Sequence, residues 1–356
     1  MNPISLIIKN NYEYTKLGLY RSYNYIYFKE LHDLQSKFKK YITDCPNWNK
    51  LKKMHENNIY NRKNDINNIV RINICSRSFL KLIEICDKFK LCDQKKINYL
   101  ALAEAPGGFI EAFINIRKNK FLGRNDNITT ISLNNNKDIP KYLFKNKYNF
   151  NIKIFYGING DGDLYNLNNI LSIRSQLNEK YNFITADGGI DFSKDYNNQE
   201  ESIYKLLYSE ILTSFIYLEK QGDFILKIFD IFQQKTIELI YILSNYFEQI
   251  IIYKPYLSRD SNSEKYLICT KFKGISDKEL KKMILIFNIM NNHDISNYKL
   301  LNYIPEKFIN KIYDYNKIII ENQIKNILKT ILKINNCKNI LNNYNWCKIY
   351  NINSYK

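Results

Sequence analysis

The sequence predicts an α/β protein with a mostly parallel β-sheet, and two observations lead to that class. Short apolar runs of strand length alternate with helical stretches through the middle of the chain, which is typical of βαβ units with helices on both faces of a sheet. Only eleven of the 356 residues are glycine, and nine of these lie between residues 107 and 222, close to the predicted strands. Because a chain so sparing with glycine keeps it where the backbone requires it, the functional chemistry is expected between about 75 and 274.

The expected organisation has three parts. Residues 1–75 form an N-terminal extension of mixed and helical character, residues 76–274 form the α/β domain, and residues 275–356 form a C-terminal helical extension. Strands are predicted over residues 97–103, 128–133, 152–156, 181–186, 223–229, 249–253 and 265–272, and helices over 24–42, 77–90, 108–118, 164–178, 200–220, 233–247, 278–291 and 316–334. The last strand follows its predecessor through a turn without a helix, so it is expected to run antiparallel.

The chain is strongly basic, since 53 Lys and Arg against 35 Asp and Glu give a net charge of +18. This charge favours a polyanionic partner, above all nucleic acid, although solubility alone would also explain it. The abundance of Asn, Ile, Lys and Tyr points to AT-rich codons, so part of the charge reflects genome composition. No apolar run approaches the ~18 residues of a membrane span and no secretory signal core is visible, so neither a membrane partner nor secretion is expected.

Neither a metal site nor a disulfide framework is expected. The seven cysteines form no C-x-x-C pair, and the chain has only three histidines. This pattern argues against zinc binding and favours free thiols in a reducing compartment.

The first candidate site is the turn that follows the strand 97–103. Its residues Ala105-Pro106-Gly107-Gly108-Phe109 lie where that strand ends and a helix begins. Cofactors bind at such turns in open α/β folds, and two glycines let a ligand approach the backbone N–H groups closely. The spacing fits neither the G-x-G-x-x-G dinucleotide pattern nor a P-loop, and a simple Pro-Gly turn is the alternative.

Three charged residues lie at or near the ends of later strands. Asp187 follows a buried strand and precedes two glycines, and a solvated loop aspartate is the alternative. Lys227 lies within an otherwise apolar strand, where burial disfavours its charged form. An interior lysine on a strand is uncommon unless it is paired, so a functional role is favoured. Glu264 opens the last strand after a polar loop whose Ser258 and Arg259 suit phosphate contacts, although this segment by itself favours an ordinary charged turn.

Together these segments resemble the FtsJ-type RNA 2′-O-methyltransferases, and specifically the branch that methylates the mRNA cap. That family carries a Lys-Asp-Lys-Glu tetrad, which the resemblance places at Lys81, Asp187, Lys227 and Glu264. The first lysine lies in Ser76-Arg77-Ser78-Phe79-Leu80-Lys81-Leu82, and the motifs follow one another in the family order over about 76–274. The sequence Asn262-Ser263-Glu264 resembles the corresponding motif of the cap enzymes more than that of the bacterial rRNA enzymes.

The resemblance implies a Rossmann-like, S-adenosylmethionine-dependent methyltransferase fold, with a seven-stranded sheet and an antiparallel last strand. It assigns cofactor contacts to Glu104, Ala105, Pro106, Gly107, Gly108, Phe109, Gly162, Asp163 and Asp187, and RNA contacts to Ser258 and Arg259. The segment from Tyr156 to Leu164 resembles a loop near the adenosine. The family often has an acid on the first strand where this chain has Ala101, so Glu104 is expected to contact the methionine end of the cofactor. Which acid holds the ribose hydroxyls stays open.

The implied reaction is methyl transfer from S-adenosylmethionine to a ribose 2′-hydroxyl of RNA. The expected substrate is the first transcribed nucleotides of capped mRNA. Lys227 is expected to be the general base, with a pKa lowered by burial and by Lys81, while Asp187 and Glu264 orient the two amines. The alternatives are an rRNA 2′-O-methyltransferase and an inactive, RNA-binding subunit of a capping or polyadenylation assembly. RNA is the expected partner, together with capping or transcription machinery. A protein of a large DNA virus would act in the host cytoplasm, and a cellular one could be nuclear.

Overall fold

The computed structural model describes residues 4–9, 12, 15–22, 24–55, 73–120, 122–123, 125–134, 142, 150–177, 180–190, 198–332, 345–350 and 352. The strands are β1 (Ser5–Lys9), β2 (Leu17–Arg21), β3 (Asn98–Leu102), β4 (Asn127–Ile131), β5 (Asn151–Phe155), β6 (Tyr181–Ala186), β7 (Leu218–Ile228), β8 (Phe247–Tyr253), β9 (Lys265–Phe272) and β10 (Tyr298–Leu301). The helices are α1 (Lys29–Thr43), α2 (Trp48–His55), α3 (Ser78–Lys88), α4 (Gly108–Asn119), α5 (Leu167–Leu177), α6 (Gln199–Tyr217), α7 (Gln234–Tyr246), α8 (Asp277–Asn292) and α9 (Glu306–Ile331).

Within these residues, eight strands form one sheet in the order β1-β8-β9-β7-β6-β3-β4-β5. The run from β5 to β7 is parallel throughout. Strand β9 is antiparallel to both of its neighbours, β7 and β8. The seven strands predicted for the central region and the antiparallel last strand are therefore confirmed.

The described part of the N-terminal extension contributes two strands that the sequence did not predict. Strand β1 pairs antiparallel with β8 and so adds an eighth strand at the edge of the sheet. Strand β2 pairs with β10 in a separate two-stranded sheet, which brings the two flanking segments of the chain together. Both N-terminal strands are only five residues long and lack the regular alternation from which a strand can be recognised.

The predicted helices are present, with shifted ends. The largest shift is in α9, which begins at Glu306, directly after Pro305, whereas the sequence predicted a start near 316. Proline fixes the φ angle and is well tolerated at a helix start, so Pro305 is the signal that was overlooked. Helix α2 was not predicted. Among the described residues, no helix is both long and apolar enough to cross a membrane.

The core lies in two layers, one on each face of the sheet. Successive residues of a strand point to opposite faces, so Leu100 and Leu102 of β3 pack in the layer beneath α6 and α7, while Tyr99 and Ala101 pack in the layer beneath α3 and α4. Both faces of the central strands are thus covered, and the carboxyl ends of the parallel strands are left as the one edge where several loops meet.

Candidate active site

The sheet register brings two of the predicted site residues and a third side chain into one row. Ala186 of β6 lies opposite Leu226 of β7, so Asp187 and Lys227, the residues that follow them, come out beside each other at the carboxyl edge. Lys227 in turn lies opposite Tyr266 of β9. The strand pairing alone therefore places a carboxylate, an amine and a phenol on three neighbouring strands.

Lys227 and Asp187 form an ion pair at this edge. The Lys227 Nζ atom lies 3.2 Å from Asp187 Oδ1 and donates a hydrogen bond of 2.6 Å to the Asp187 main-chain oxygen. A Cβ atom on Gly189 would lie 3.3 Å from the same Nζ, so the second glycine after Asp187 leaves room for the lysine. The two side chains are each only 13% exposed.

The prediction that burial and Lys81 lower the pKa of Lys227 is wrong. Burial does act to lower this pKa, but Asp187 and Glu264 raise it more, with a further contribution from Glu210, and the net pKa lies above the ordinary lysine value. The carboxylates that hold the amine in place thus also stabilise its protonated form.

A second ion pair joins Lys81 of α3 to Glu264. Their Nζ and Oε1 atoms are 2.5 Å apart, and the side chains are 13% and 12% exposed. Ser258 Oγ donates to the same carboxylate oxygen over 3.2 Å. Burial would raise the pKa of Glu264, but Lys81 and Lys227 lower it to about 2, so the carboxylate is ionised at neutral pH.

Tyr266 connects the two ion pairs and was missed as a site residue in the sequence. Its buried hydroxyl lies 3.1 Å from Asp187 Oδ1 and 3.4 Å from Glu264 Oε1, and it can donate to one of them at a time. Its ring also lies below Lys81, with Nζ 6.0 Å from the ring centre. The spacing Glu264-x-Tyr266, which in extended backbone directs both side chains to the same side, is the signal that could have identified it.

The turn after β3 forms a second part of the site. Gly107 has a φ angle of +105°, and a Cβ atom on Gly108 would lie 2.1 Å from the hydroxyl oxygens of Ser76 and Ser78 at the start of α3. Only glycine therefore fits at these positions, which lets the first turn of α4 pack closely against the segment that carries Lys81. Ala105 and Pro106 complete this turn, as predicted from the sequence.

Glu104 is buried at the centre of that turn. Its Oε1 accepts a 2.5 Å hydrogen bond from the Phe109 N–H in the first turn of α4, whereas its buried Oε2 has no hydrogen-bond partner among the described residues. Burial and the charge of Asp187 raise its pKa well above the ordinary value. An unsatisfied buried carboxyl oxygen is costly, so this atom is available for a hydrogen bond with a ligand.

The loop containing Gly162 and Asp163 lies beside the end of β4. Gly162 has a φ angle of +68°, and a Cβ atom there would lie 1.9 Å from the main-chain oxygen of Ser132. Asp163 Oδ1 accepts a hydrogen bond of 2.8 Å from the N–H of Tyr165. The loop is thus held against the carboxyl edge of the sheet, two strands away from Asp187.

The two residues predicted to contact RNA differ in their surroundings. Ser258 is fully buried and its hydroxyl lies against Asn262 and Glu264, so it offers no exposed surface to RNA and instead helps to hold the carboxylate. Arg259 is half-buried and lines a cavity together with Asn262 and Ser263, the two residues before Glu264.

Glu210 of α6 is a further acidic residue behind the site that the sequence did not reveal. It is 1% exposed, and its Oε1 has no hydrogen-bond partner among the described residues. A Cβ atom on Gly188 would lie 2.3 Å from that oxygen, so the loop after Asp187 packs directly on it. Burial, offset by Lys227, raises the pKa of Glu210 to about 8.

The comparison with protein families agrees with this geometry. A family model described as FtsJ-like methyltransferase matches residues 74–272, more than half of the chain. The chain belongs to this family. The matched region contains all four tetrad residues and both loops of the candidate cofactor site.

Similar curated proteins include cap-specific mRNA (nucleoside-2′-O-)-methyltransferases. The mouse enzyme 2 is 26% identical over 295 residues, covering 75% of this chain and 37% of the relative. The enzyme from Autographa californica nuclear polyhedrosis virus is 31% identical over 193 residues, covering 54% of this chain and 71% of the relative. The chain thus spans little more than a third of the mouse protein.

Solved structures show a weaker likeness. A ribosomal RNA methyltransferase from Plasmodium falciparum is 20% identical, with a TM-score of 0.43, and the match covers 56% of this chain and 99% of that one.

Proposed function

We propose that the protein is an S-adenosylmethionine-dependent RNA 2′-O-ribose methyltransferase that acts on the first transcribed nucleotides of capped mRNA. The observation that carries the proposal is the convergence of Lys81, Asp187, Lys227 and Glu264 in two largely buried ion pairs bridged by Tyr266. Nothing in the packing of the core requires two lysines there, because burying charge is costly even when it is paired.

The residues around the turn after β3 fit the proposed cofactor. The unpartnered Oε2 of Glu104 suits the ammonium group of the methionine end. The close backbone at Gly107 and Gly108 and the loop at Gly162 and Asp163 would lie along the rest of the cofactor at the same sheet edge. When bound, S-adenosylmethionine supplies a methyl group on a positively charged sulfur, which makes that carbon the electrophile.

In this proposal the residues of the chain position the ribose and handle its proton. A ribose hydroxyl is a weak nucleophile at neutral pH, so a base that takes up its proton helps the displacement. The neutral form of Lys227 would accept that proton, and Asp187 would stabilise the ammonium that results. Because the pKa of Lys227 is raised, only a small fraction is neutral at pH 7, and the rate should grow with pH.

The preference for capped mRNA rests on the relatives and on the charge. Curated relatives are named for the mRNA cap, and the net charge of +18 suits an RNA ligand. The intact tetrad argues against the alternative of an inactive, RNA-binding subunit. An rRNA methyltransferase would have the same four residues and is distinguished by its substrate.

The test is methyl transfer from labelled S-adenosylmethionine to matched short RNAs with and without a methylguanosine cap, followed by nuclease mapping. Label on the first or second nucleotide of the capped RNA alone, abolished by Lys227→Ala, is the expected result. Equal labelling of both RNAs would contradict cap specificity. No label with the cofactor bound would contradict the proposal that this chain is by itself an active enzyme.

A further inference from the structure

One face of helix α3 is fastened to the loop between β8 and β9, which carries the tetrad glutamate. Arg77, directly before the helix, donates a hydrogen bond of 3.2 Å from Nη2 to the main-chain oxygen of Leu257. Glu84 Oε1 accepts a hydrogen bond of 2.7 Å from the Tyr256 N–H. Lys81, whose ion pair is described above, lies between these two contacts. Residues spaced i, i+4 and i+7 share one helix face, so the position of Lys81 depends on how this face sits on the loop.

Glu84 is the point where three parts of the chain meet. Its side chain is buried, and its Oε1 also accepts a hydrogen bond from the hydroxyl of Tyr253, the last residue of β8. Its Oε2 accepts a hydrogen bond of 2.9 Å from the indole Nε1 of Trp346. Burying a carboxyl group among apolar side chains is costly unless it is hydrogen-bonded, and here both oxygens have partners. One carboxyl group thus joins α3, the segment after β8 and the C-terminal segment.

Trp346 belongs to a part of the chain that the FtsJ-like match does not cover. Its side chain is buried and packs, together with Ile352, in the core layer that α3 and α4 share. The C-terminal segment is therefore docked on the helix that carries Lys81. Its hydrogen bond reaches that helix at Glu84, three residues and so about one turn from Lys81.

Both ends of this connection lie close to the tetrad in the chain. On the helix, Glu84 is one turn from Lys81. On the loop, the Tyr256 N–H that binds Glu84 is two residues before Ser258, whose hydroxyl donates to Glu264 over 3.2 Å. A shift of Glu84 relative to the loop would consequently move the two members of the ion pair apart.

We propose that Glu84 is a positioning residue for methyl transfer. It holds α3 against the loop between β8 and β9 so that Lys81 stays on Glu264, and Trp346 of the C-terminal segment holds Glu84 in place. The inference rests on the proposed function and extends it beyond the four tetrad residues. It makes the C-terminal segment a requirement for the full rate of the reaction, although that segment supplies no reacting group.

Two conservative changes in the full-length protein break this connection. Each oxygen of Glu84 faces one fixed N–H donor, from Tyr256 and from Trp346. In Glu84→Gln the amide oxygen can satisfy only one of them, and the amide NH₂ group meets the other donor without an acceptor. Trp346→Phe is the milder variant, because it keeps an aromatic ring and removes the indole N–H.

The first measurement is kcat and KM for methyl transfer to capped RNA. A displacement of ~1 Å at a reacting centre costs about 100-fold in rate, so a smaller shift of α3 in Glu84→Gln should lower kcat about tenfold. KM should be unchanged for both substrates, because buried Glu84 contributes to the transition state only through Lys81. Trp346→Phe should cause a smaller loss of the same kind. The double variant should lose no more than Glu84→Gln alone, because both changes break one contact.

Glu238→Gln is the matched control. Glu238 of α7 is also buried and accepts hydrogen bonds from the Gln234 side chain over 2.9 Å and from the Leu300 N–H over 2.8 Å, but α7 packs in the other core layer. This variant should lose stability and keep its kcat. An equal loss of kcat in Glu238→Gln and Glu84→Gln would contradict the positioning role. A wild-type kcat in folded Glu84→Gln, or a change in KM alone, would overturn it as well.

A thermal unfolding cycle separates this inference from the proposed function, because it requires no methyl transfer. Lys81→Met should lower Tm less in the Glu84→Gln background than in the wild type, since the contact with Glu264 is already weakened there. Strict additivity would contradict the inference. Non-additive unfolding in a wild type without transferase activity would support the coupling of Glu84 to Lys81 and contradict the enzyme. An active wild type with unchanged kcat in Glu84→Gln would support the enzyme and contradict the positioning role.

Discussion

Lys81 and Glu264 come from opposite ends of the matched region, one on α3 and the other directly before β9, and their charged atoms are 2.5 Å apart. The contact closes the site from above the sheet, since α3 packs on the face next to α4 while β9 lies within the sheet itself. The contact between Lys81 and Glu264 therefore pairs the two opposite charges and also shields them from solvent.

Removing either member of this pair should therefore destabilise the fold as well as abolish activity. Lys81→Met leaves the Glu264 carboxylate buried without its main partner, and the loss of one member of a buried pair costs about 3–5 kcal/mol. The free energy of unfolding, measured with urea, should fall by an amount at the lower end of this range, because Lys227 still stabilises the carboxylate. The double variant Lys81→Met/Glu264→Gln should be less destabilised than Lys81→Met alone, and strict additivity of the two changes would contradict the pairing.

The pH dependence of methyl transfer tests the role of Lys227. Since Asp187 and Glu264 raise its pKa, its neutral fraction should increase about tenfold per pH unit from pH 7 to 9, and the rate with it. Single-turnover rates over this range give the slope. Lys227→Ala and Lys227→Arg should both lose at least ~100-fold in rate with cofactor affinity retained.

Two results would contradict this role. A rate that is already constant below pH 8 would show that Lys227 is not the group whose deprotonation limits the reaction. Full activity of a folded Lys227→Arg variant would exclude the amine as the proton acceptor, because the guanidinium is not deprotonated in proteins.

Glu104 should contribute to cofactor binding through its unpartnered Oε2. In Glu104→Gln the amide oxygen can still accept from the Phe109 N–H. The amide cannot ionise beside the cofactor ammonium as a carboxyl group would, so the charged contact is lost. A hydrogen bond to a charged group is worth about 1.5–3 kcal/mol, so calorimetry should show cofactor affinity at least ~10-fold lower. The exposed Glu219→Gln serves as the control, and equal affinities of both variants would contradict the assignment.

Glu210 should make the protein less stable as the pH rises. Its pKa in the folded protein is raised to about 8 from an ordinary 4.5, so the folded state holds a proton that the unfolded state releases over that interval. The stabilisation is complete below about pH 4.5 and is lost as the pH rises through 8. Glu210→Gln should flatten this loss in thermal unfolding between pH 5 and 8.5, and an unchanged profile would contradict the raised pKa.

The inner strands of the sheet, such as β3 and β6, were predictable because they are buried on both faces and therefore appear as nearly continuous apolar runs. The carboxyl-edge residues followed from them, since Asp187 and Lys227 end two parallel neighbours. Lys81 was predicted from the order of the family motifs. It lies on helix α3, and its side chain reaches the site from outside the sheet.

The remaining features could not be predicted from the sequence, because they depend on distances between side chains that a sequence pattern does not give. The direction of the Lys227 pKa shift is the reverse of the predicted one because the charges of Asp187 and Glu264 outweigh the effect of burial. Glu210 is hidden within an apolar helix, and its role depends on the packing of Gly188 against it. The cavity that Arg259 lines joins residues from both flanks and from the central region, so it exists only once the chain has folded.

Strand β1 protects the edge of the catalytic sheet. Its residues Ile7 and Ile8 pair with Ile251 and Ile250 of β8, which are the outermost pairings on that side. A shortened chain beginning at residue 74 would keep the whole tetrad but expose a flat, isoleucine-rich row of unpaired N–H and C=O groups. Such a row is a template for strand addition between molecules. The isolated methyltransferase region should therefore aggregate. In the full chain, the pairing of β1 with β8 prevents this self-association.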